Sequence, residues 1–486
     1  MVTGPLVVVG DCLLDRDLVG QIERLAPDAP VPVVDELQQI SRPGGAGLAA
    51  LLAARDGRAV TLVTALSDDA AGEELAVLLA AAGIEVVPLV LDGRTPEKVR
   101  VRSGGRSLLR LDHGGRTAPP VGPLTPDARE ALAGAGAVLV ADYGRGVAGH
   151  LTEVPRRVPV VWDPHPRGPE PLAGCTLVTP NSSETEHFAG AVPGRTLSAT
   201  TARAQLLRRR WGAGAVAVTM SDRGALLVSS DEGAPLVVPA PKVACFDPCG
   251  AGDRFASAAA GLLADGALPS EAVAGAVAVS SAFVADGGAA TVRMPVADGG
   301  AATVRMPVAD GGAATVRMPV TAGTPAGGAP TGAVGPAAAA ELVARVRSSG
   351  GTVVSTGGCF DLLHAGHVSV LQAARALGDC LIVLLNSDAS VGRLKGPDRP
   401  LVPGPDRAAV LAALECVDAV VLFDEDTPVP ALTRLRPDIW AKGGDYALTD
   451  LPEAPVVAGW GGQAVVLPYL QGRSTTAMLK EAARRG

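Results

Sequence analysis

His364 and His367 stand three residues apart around Ala365-Gly366, in the run Thr356-Gly-Gly-Cys-Phe-Asp-Leu-Leu-His-Ala-Gly-His367. An apolar pair, Val353-Val354, precedes the run. Val368, Val370, Leu371, Ala374 and Leu377 follow it at roughly helical spacing. The pattern predicts a strand that turns into a helix N-terminus at the histidines. Free backbone N–H groups and the positive end of a helix dipole suit phosphate there. Two imidazoles can donate hydrogen bonds to that phosphate and stabilise charge growing on it. The blander readings are two surface histidines or a two-point metal site. A metal would need further ligands, and only Asp361 is near in sequence, so nucleotidyl transfer is the expected chemistry and no direct protein metal cluster is expected. A second constellation is Cys245-Phe-Asp-Pro-Cys-Gly-Ala-Gly-Asp253, ahead of an alanine-rich stretch from about Phe255 to Leu263. The N–H groups of Gly250, Ala251 and Gly252 can wrap a transferring phosphoryl group, and Asp253 can accept the proton of an attacking hydroxyl. The alternative is a loop ending in a helix N-cap aspartate.

Other residues join these two centres. Of the group Lys395, Arg399, Arg407 and Lys442, each singly reads as solvated charge; Lys395 and Lys442, however, each adjoin glycine in a loop after an apolar run, and together they favour triphosphate binding. Ser474-Thr475-Thr476 precedes a last helical stretch, as an N-cap or a phosphate contact. Asn181-Ser-Ser-Glu184 follows a strand and a proline, as a capped helix start or a polar shell for Mg²⁺ and phosphates.

The elements that must position these residues alternate. Strand signals at Leu6–Val9, Val60–Val63, Val138–Ala141, Val158–Trp162, Thr176–Val178 and Val216–Thr219 interleave with helical stretches such as 71–82 and 203–210. That alternation predicts a parallel α/β sheet covered on both faces. The segments 85–91, 98–102 and 107–111 predict a small β layer apart from the main sheet. The sequence 42–47 reads as a glycine-rich turn. ADGGAATVRMPV then occurs three times without change, at 285–296, 297–308 and 309–320. Solenoid repeats are longer and diverged, so one copy is expected to belong to the fold and the others to be extruded loop. Residues 321–336 read as a flexible Gly/Pro/Thr/Ala linker. A new α/β unit is expected over 337–486, about 150 residues and so one domain.

Composition narrows the classes. The 486 residues carry a net charge of -8, which disfavours nucleic acid as a partner. The seven cysteines are scattered without CxxC spacing, which argues against disulfides and structural zinc and for a reducing cytoplasm. No signal peptide is evident, and the longest near-apolar run, 272–285, is too short to span a bilayer.

With both halves in view, the chain resembles the family of bifunctional heptose enzymes of ADP-heptose synthesis, which fuse a ribokinase-like sugar kinase to a cytidylyltransferase-like domain. In the first half the resemblance rests on GDCLLDR (10–16), RLAPDAPVPVV (24–34), RPGGA (42–46), RLD (110–112), DYGRG (142–146), TPNSSE (179–184), VTMSDRG (218–224) and GAGD (250–253). In the second it rests on FDLLHAGHVSVL (360–371), NSDASVGRLKG (386–396), DRP (398–400), EDTP (425–428), KGGDY (442–446) and STT (474–476). It implies a ribokinase-like α/β domain with a small β lid over 1–320 and a Rossmann-like HxGH nucleotidyltransferase domain over 337–486.

It also implies two reactions, both using ATP, the first with Mg²⁺. The kinase would phosphorylate the anomeric hydroxyl of D-glycero-D-manno-heptose 7-phosphate. Asp253 would be its base and Gly250, Ala251 and Gly252 its anion hole. Asp15, Gly44 and Gly45 would face the sugar, and Asn181, Glu184, Thr219, Ser221 and Gly224 the nucleotide and metal. A separate phosphatase would remove the 7-phosphate. The second domain would join heptose 1-phosphate to ATP, giving ADP-heptose and pyrophosphate. His364, His367 and Lys395 would act on the triphosphate there, with Thr356, Phe360, Asp361, Asp388, Lys442, Gly443, Ser474, Thr475 and Thr476 binding ATP. The family's lid strands often pair two subunits, so a homodimer is expected.

This chain departs from the family pattern at Leu48, where an Asn is common, at Pro248-Cys249 in place of Val-Thr, at Arg254 in place of Thr, at His165 in place of Lys, and at Gly357. Two other readings fit the same residues: a fused kinase and nucleotidyltransferase for another sugar phosphate, or a first domain that only binds sugar phosphate or holds a dimer.

Overall fold

The structure, a computed structural model, describes residues 4–294 (except 105, 115–118, 191, 193, 195, 232 and 246), 333–444 and 451–468. The first half is built on a mostly parallel sheet. Its strands run in the spatial order Leu236–Val238, Ala225–Val228, Ala215–Thr219, Leu177–Val178, Val160–Asp163, Ala137–Ala141, Leu6–Gly10, Val60–Leu66 and Glu85–Val90. Only the Ala225–Val228 strand runs against its neighbours. Leu6–Gly10 is buried along its whole length, as are Ala137–Ala141 and Ala225–Val228. Near-continuous apolar strands of this kind need helices on both faces, and Ala46–Arg55, Ala251–Ala264 and Leu197–Trp211 are among those that supply them.

The second half has its own parallel sheet, in the order Ala333–Val334, Ala419–Phe423, Cys380–Asn386, Val353–Gly358, Ile439–Gly444 and Gln463–Pro468. The two sheets meet edge to edge. Leu236 pairs in parallel with Val466, and Val466 N–H donates to Pro235 O at 3.0 Å.

A separate four-stranded sheet stands at the rim of the first half, ordered Pro32–Gly45, Cys12–Leu25, Glu97–Ser103 and Arg106–His113. This corrects the sequence reading in two places. The segment at Glu85–Val90 pairs with Val60–Leu66 in the main sheet rather than joining the lid. The lid instead begins with two long strands, and residues 42–45, expected as a turn, are the end of one of them. Their alternation is weak in sequence because the pairing slips at Val19/Gly20 and Ile22/Arg24, and each bulge inverts which side chains face inward.

The expected linker also ends sooner than its composition suggests. Ala333–Val334 already pairs with the Ala419–Phe423 strand, and the next helix starts at Pro336. Of the threefold repeat, the first copy is described as far as Met294. Its Gly288–Thr291 turn packs inward, with Ala289 and Val292 buried and Ala289 N–H donating to Cys249 O at 3.0 Å. The other copies lie outside the described residues.

Candidate active sites

In parallel α/β sheets, ligands gather at the carboxyl ends of the strands. In the first half those ends carry Asp11, Asp142-Tyr143, Asp163, Asn181 and Thr219. Asp11 fixes the loop after the neighbouring strand. Its Oδ2 accepts the N–H groups of Tyr143 at 3.2 Å and Arg145 at 2.9 Å, and its Oδ1 accepts that of Val147 at 3.0 Å. The helix Ala251–Ala264 then delivers Asp253 in its first turn. Gly250, its N-cap, has φ +82°, and a Cβ there would come 2.8 Å from Leu48 Cδ2. Glycine is therefore required both for the left-handed backbone and for the close approach. Leu48, one of the departures from the family pattern, packs directly against this turn.

Asp253 is buried, which pushes its carboxyl up to about 7 against the opposing hydrogen bond from Tyr143. Tyr143 Oη donates to Asp253 Oδ1. A carboxyl tuned to the neutral range suits a general base. Of the expected anion hole, the Ala251 N–H is already committed to Pro248 O at 3.1 Å. The N–H groups of Gly252 and Asp253, in the helix's first turn, have no intrahelical acceptor. Arg254 is drawn off by a two-pronged ion pair with Asp56, at 2.6 and 2.8 Å.

Asp15, expected to face the sugar, is paired with lid residue Arg100 at 2.7 Å. Gly44 lies beside it, since a Cβ there would come 2.7 Å from Asp15 Oδ2. Gly45 lies over Tyr143, where a Cβ would come 3.5 Å from the ring. The nucleotide-side residues collect one strand further along. Asn181 and Glu184 cap each other as a capping box: Glu184 N–H donates to Asn181 Oδ1 at 3.0 Å and Asn181 N–H to Glu184 Oε2 at 2.8 Å. Thr219 N–H donates to Pro180 O at 3.0 Å, and Met220 N–H to Gly224 O at 2.7 Å. Ser221 between them has φ +56°. No group of three or more His, Cys, Asp or Glu among the described residues could hold a metal ion. Mg²⁺ arriving on nucleotide phosphates and keeping water ligands would need no such group, and Asn181 and Glu184 would be the polar residues nearest it only if they left the capping box that now engages them.

In the second half, His364 is the N-cap of the helix Ala365–Arg375, and its Nδ1 accepts the Gly366 N–H at 3.1 Å. That N–H is therefore not free for phosphate, contrary to the sequence expectation. The same bond places the proton of a neutral His364 ring on Nε2, making the side chain a donor. The His364 and His367 rings stack at 3.9 Å, and Phe360 lies 5.3 Å from His367. Burial, then the neighbouring His364 and Lys395, push His367 down to about 4. It is neutral at physiological pH before a phosphate arrives. Lys395 ends the Asp388–Lys395 helix and is exposed. Lys442 and Gly443 lie on the Ile439–Gly444 strand, and a Cβ on Gly443 would come 2.8 Å from Val370. Thr356 is buried at the adjacent strand.

Four charged residues near the expected triphosphate site, Asp361, Asp388, Arg399 and Arg407, are bonded to one another or to backbone in this structure. Asp361 accepts Arg399 Nε at 2.5 Å and the N–H groups of Leu401 and Val402 at 2.7 and 3.0 Å. Burial alone would raise its carboxyl, but the donors from Val402, Arg399 and Leu401 outweigh it and hold it below the usual range. Arg407 donates to Asp388 at 2.6 Å and to the carbonyls of Cys359, Asn386 and Val402 at 2.5, 2.9 and 2.9 Å. These two hubs staple the loops around the histidines. Ser474, Thr475 and Thr476 lie outside the described residues.

Comparison with known proteins agrees with this division. Residues 148–296 match the pfkB family of carbohydrate kinases, and residues 355–461 the cytidylyltransferase-like family. The bifunctional protein HldE of Streptomyces coelicolor is 54% identical over 484 residues, covering 99% of this chain and 96% of that protein. The chain belongs to the bifunctional HldE family. HldE of Azorhizobium caulinodans is 39% identical, over 98% of each chain. Among solved structures, a ribokinase of Arabidopsis thaliana complexed with ribose and ATP aligns with 58% of this chain and 92% of its own, at 24% identity and a TM-score of 0.45. Like its HldE relatives the chain is a bifunctional enzyme, a carbohydrate kinase fused to a nucleotidyltransferase. The fold is α/β throughout, ribokinase-like with a β lid and then Rossmann-like. The reading of the first domain as a mere scaffold is not favoured.

The motifs GDCLLDR and DYGRG mark the loops of Asp11 and Tyr143, but the sequence reading assigns no role to either residue there. Arg100, the partner of Asp15, lies in none of the quoted motifs.

Proposed function

We propose that the protein makes ADP-heptose in two steps separated by a phosphatase. In the first, Asp253 takes the proton of the anomeric hydroxyl of D-glycero-D-manno-heptose 7-phosphate as its oxygen attacks the γ-phosphorus of ATP. The bond to ADP breaks, giving a heptose 1,7-bisphosphate. Positive backbone charge at the Gly250–Asp253 helix start faces the transferring group. Mg²⁺ carried on the nucleotide supplies charge neutralisation. A separate phosphatase removes the 7-phosphate. In the second step the sugar 1-phosphate attacks the α-phosphorus of ATP and pyrophosphate leaves. His364, His367, Lys395 and Lys442 orient and neutralise the triphosphate, so the protein's contribution is positioning and charge.

The observation that carries this reading is the pairing, on one chain alignable end to end with HldE proteins, of a base-bearing GAGD helix start and an HxGH helix start. Purified protein given the heptose 7-phosphate and ATP should release ADP. Given heptose 1-phosphate and ATP it should release pyrophosphate. Pyrophosphate release without ADP release defeats the two-step reading.

The same proposal includes a homodimer through the lid. The strand Arg106–His113 is exposed along its length, and Leu37 and Leu109 are 68% and 53% exposed. Apolar side chains on an open sheet edge invite pairing with a second copy. Sedimentation should give twice the chain mass, and Leu109→Lys should shift it toward monomer. The free cysteines fit a reducing cytoplasm. No helix of the described residues is long and apolar enough to cross a membrane.

A further inference from the structure

Asp253 does not stand alone at its helix start. Tyr143 Oη donates to its Oδ1, and no reading of the kinase chemistry above uses that phenol. The contact is built from a distance. Asp11, at the end of one central strand, takes the N–H groups of Tyr143, Arg145 and Val147 and so fixes the path of the loop after the next strand. Gly45 lies against the Tyr143 ring with no side chain of its own. Three elements far apart in sequence thereby place one hydroxyl on one carboxylate oxygen.

We propose that Tyr143 is a positioning residue for the kinase reaction: its phenol O–H holds Asp253 Oδ1, fixes the carboxylate rotamer, and leaves Oδ2 to take the proton of the phosphoryl-accepting hydroxyl. The inference rests on the assignment of Asp253 as the base.

The chemistry favours this division of labour. A carboxylate free to rotate must be ordered in the transition state, whereas one already held on one oxygen is pre-ordered. A donor to the ionised form also favours that form. Burial raises the Asp253 carboxyl, while the Tyr143 hydrogen bond opposes the rise and keeps the base ionisable near neutrality. The other groups facing Asp253 are Lys98 on the lid strand Glu97–Ser103, which favours its charge, and Asp15 on Cys12–Leu25, which opposes it. Asp163 at the end of its strand, Cys249 in the turn and Cys12 also face it. None of the described hydrogen bonds to the Asp253 carboxylate comes from any of these; Tyr143 supplies the one that is seen.

The test compares Tyr143→Phe with wild type in two measurements. The first is the pH profile of kcat/KM for ADP release. Loss of the phenol should move the acidic limb up by about one pH unit, the scale of a hydrogen bond to a charged group. The second needs no turnover: the midpoint of the Asp253 signal in protein labelled with ¹³C-carboxyl aspartate, assigned by its loss in Asp253→Asn, should rise by a similar amount. Site-specific 3-fluorotyrosine at 143, a better donor of nearly the same size, should move both downward. It also keeps the question answerable if Tyr143→Phe folds poorly, which an unchanged thermal melt of the first half would exclude. A uniform loss of rate with the limb and the carboxyl midpoint in place overturns the proposal. An Asp253→Asn variant that keeps full turnover overturns both the base assignment and the inference built on it. Wild type without ADP release, but with the Asp253 midpoint following the residue at 143, defeats the proposed reaction and leaves the control of Asp253 by Tyr143 supported.

Discussion

Lys442 Nζ lies 3.2 Å from Oε1 of Glu453, a carboxylate only 4% exposed, whose other oxygen has no partner among the described residues. The lysine expected at the triphosphate is therefore also the counter-charge of a buried acid. Removing one member of such a pair strands the other. Lys442→Met should lower stability by about 1–3 kcal/mol and sharply reduce pyrophosphate release. Lys442→Met combined with Glu453→Gln should recover most of the stability and none of the activity. Urea melts alongside transferase assays separate the two roles; a double variant that regains turnover would show that Lys442 only neutralises Glu453.

Asp253 carries a stability cost that its function explains. Its carboxyl is raised to about 7 in the folded protein by burial, against about 3.9 in an unfolded chain. The folded state then holds its proton over a range where the unfolded state has lost it. Stability from this group is complete below pH ~4 and falls as pH rises toward 7. Asp253→Asn should thus be more stable than wild type at pH 8, by on the order of 1–3 kcal/mol, with the difference shrinking toward pH 4–5. It should also abolish ADP release and spare pyrophosphate release. Thermal melts across pH, read beside both assays, check the pair of outcomes.

The two chemical centres were legible in sequence because each is local. The GAGD turn and the HxGH turn each put their groups within a few residues of a helix start, where periodicity and glycine mark the place. What was not legible depends on pairing between distant strands. The lid strands 12–25 and 32–45 were obscured because bulges break their alternation. Tyr143 reaches Asp253 across 110 residues of sequence, and only the parallel pairing of Leu6–Gly10 with Ala137–Ala141 brings the Asp11 clamp to its loop. Charge type alone also misled. Arg407 and Lys395 look equivalent in sequence, yet one is buried among carbonyls and the other is exposed.

That contrast is itself testable. Arg407 donates to Asp388 and to three backbone carbonyls. Arg407→Met leaves those acceptors unsatisfied in a buried place and should cost about 3 kcal/mol or more. Arg407→Lys should recover little, since one ammonium cannot reproduce the planar fork. Lys395→Met should leave the melting temperature within about a degree or two and lower the transferase rate by roughly a hundredfold, through lost charge at the leaving pyrophosphate. If Lys395→Met retains full turnover, the triphosphate does not use that helix end.

His367 gives the second half a pH signature of the opposite sign to Asp253. Burial, His364 and Lys395 push its folded value down to about 4, below the ordinary 6.5 of an unfolded histidine. Between those values the unfolded chain binds a proton that the folded protein refuses. The contribution is present above pH ~6.5 and is lost as pH falls toward 4. Acidification from pH 7.5 to 5 should therefore lower the wild-type melting temperature more than that of His367→Asn, which has no such proton to take up. ATP should narrow the gap, because a phosphate beside the ring favours the imidazolium and repays part of its burial. Melts at both pH values, with and without ATP, measure this directly. An equal acid shift in both proteins would mean that His367 titrates freely in the folded state and is not packed against His364 and Phe360 as the geometry requires.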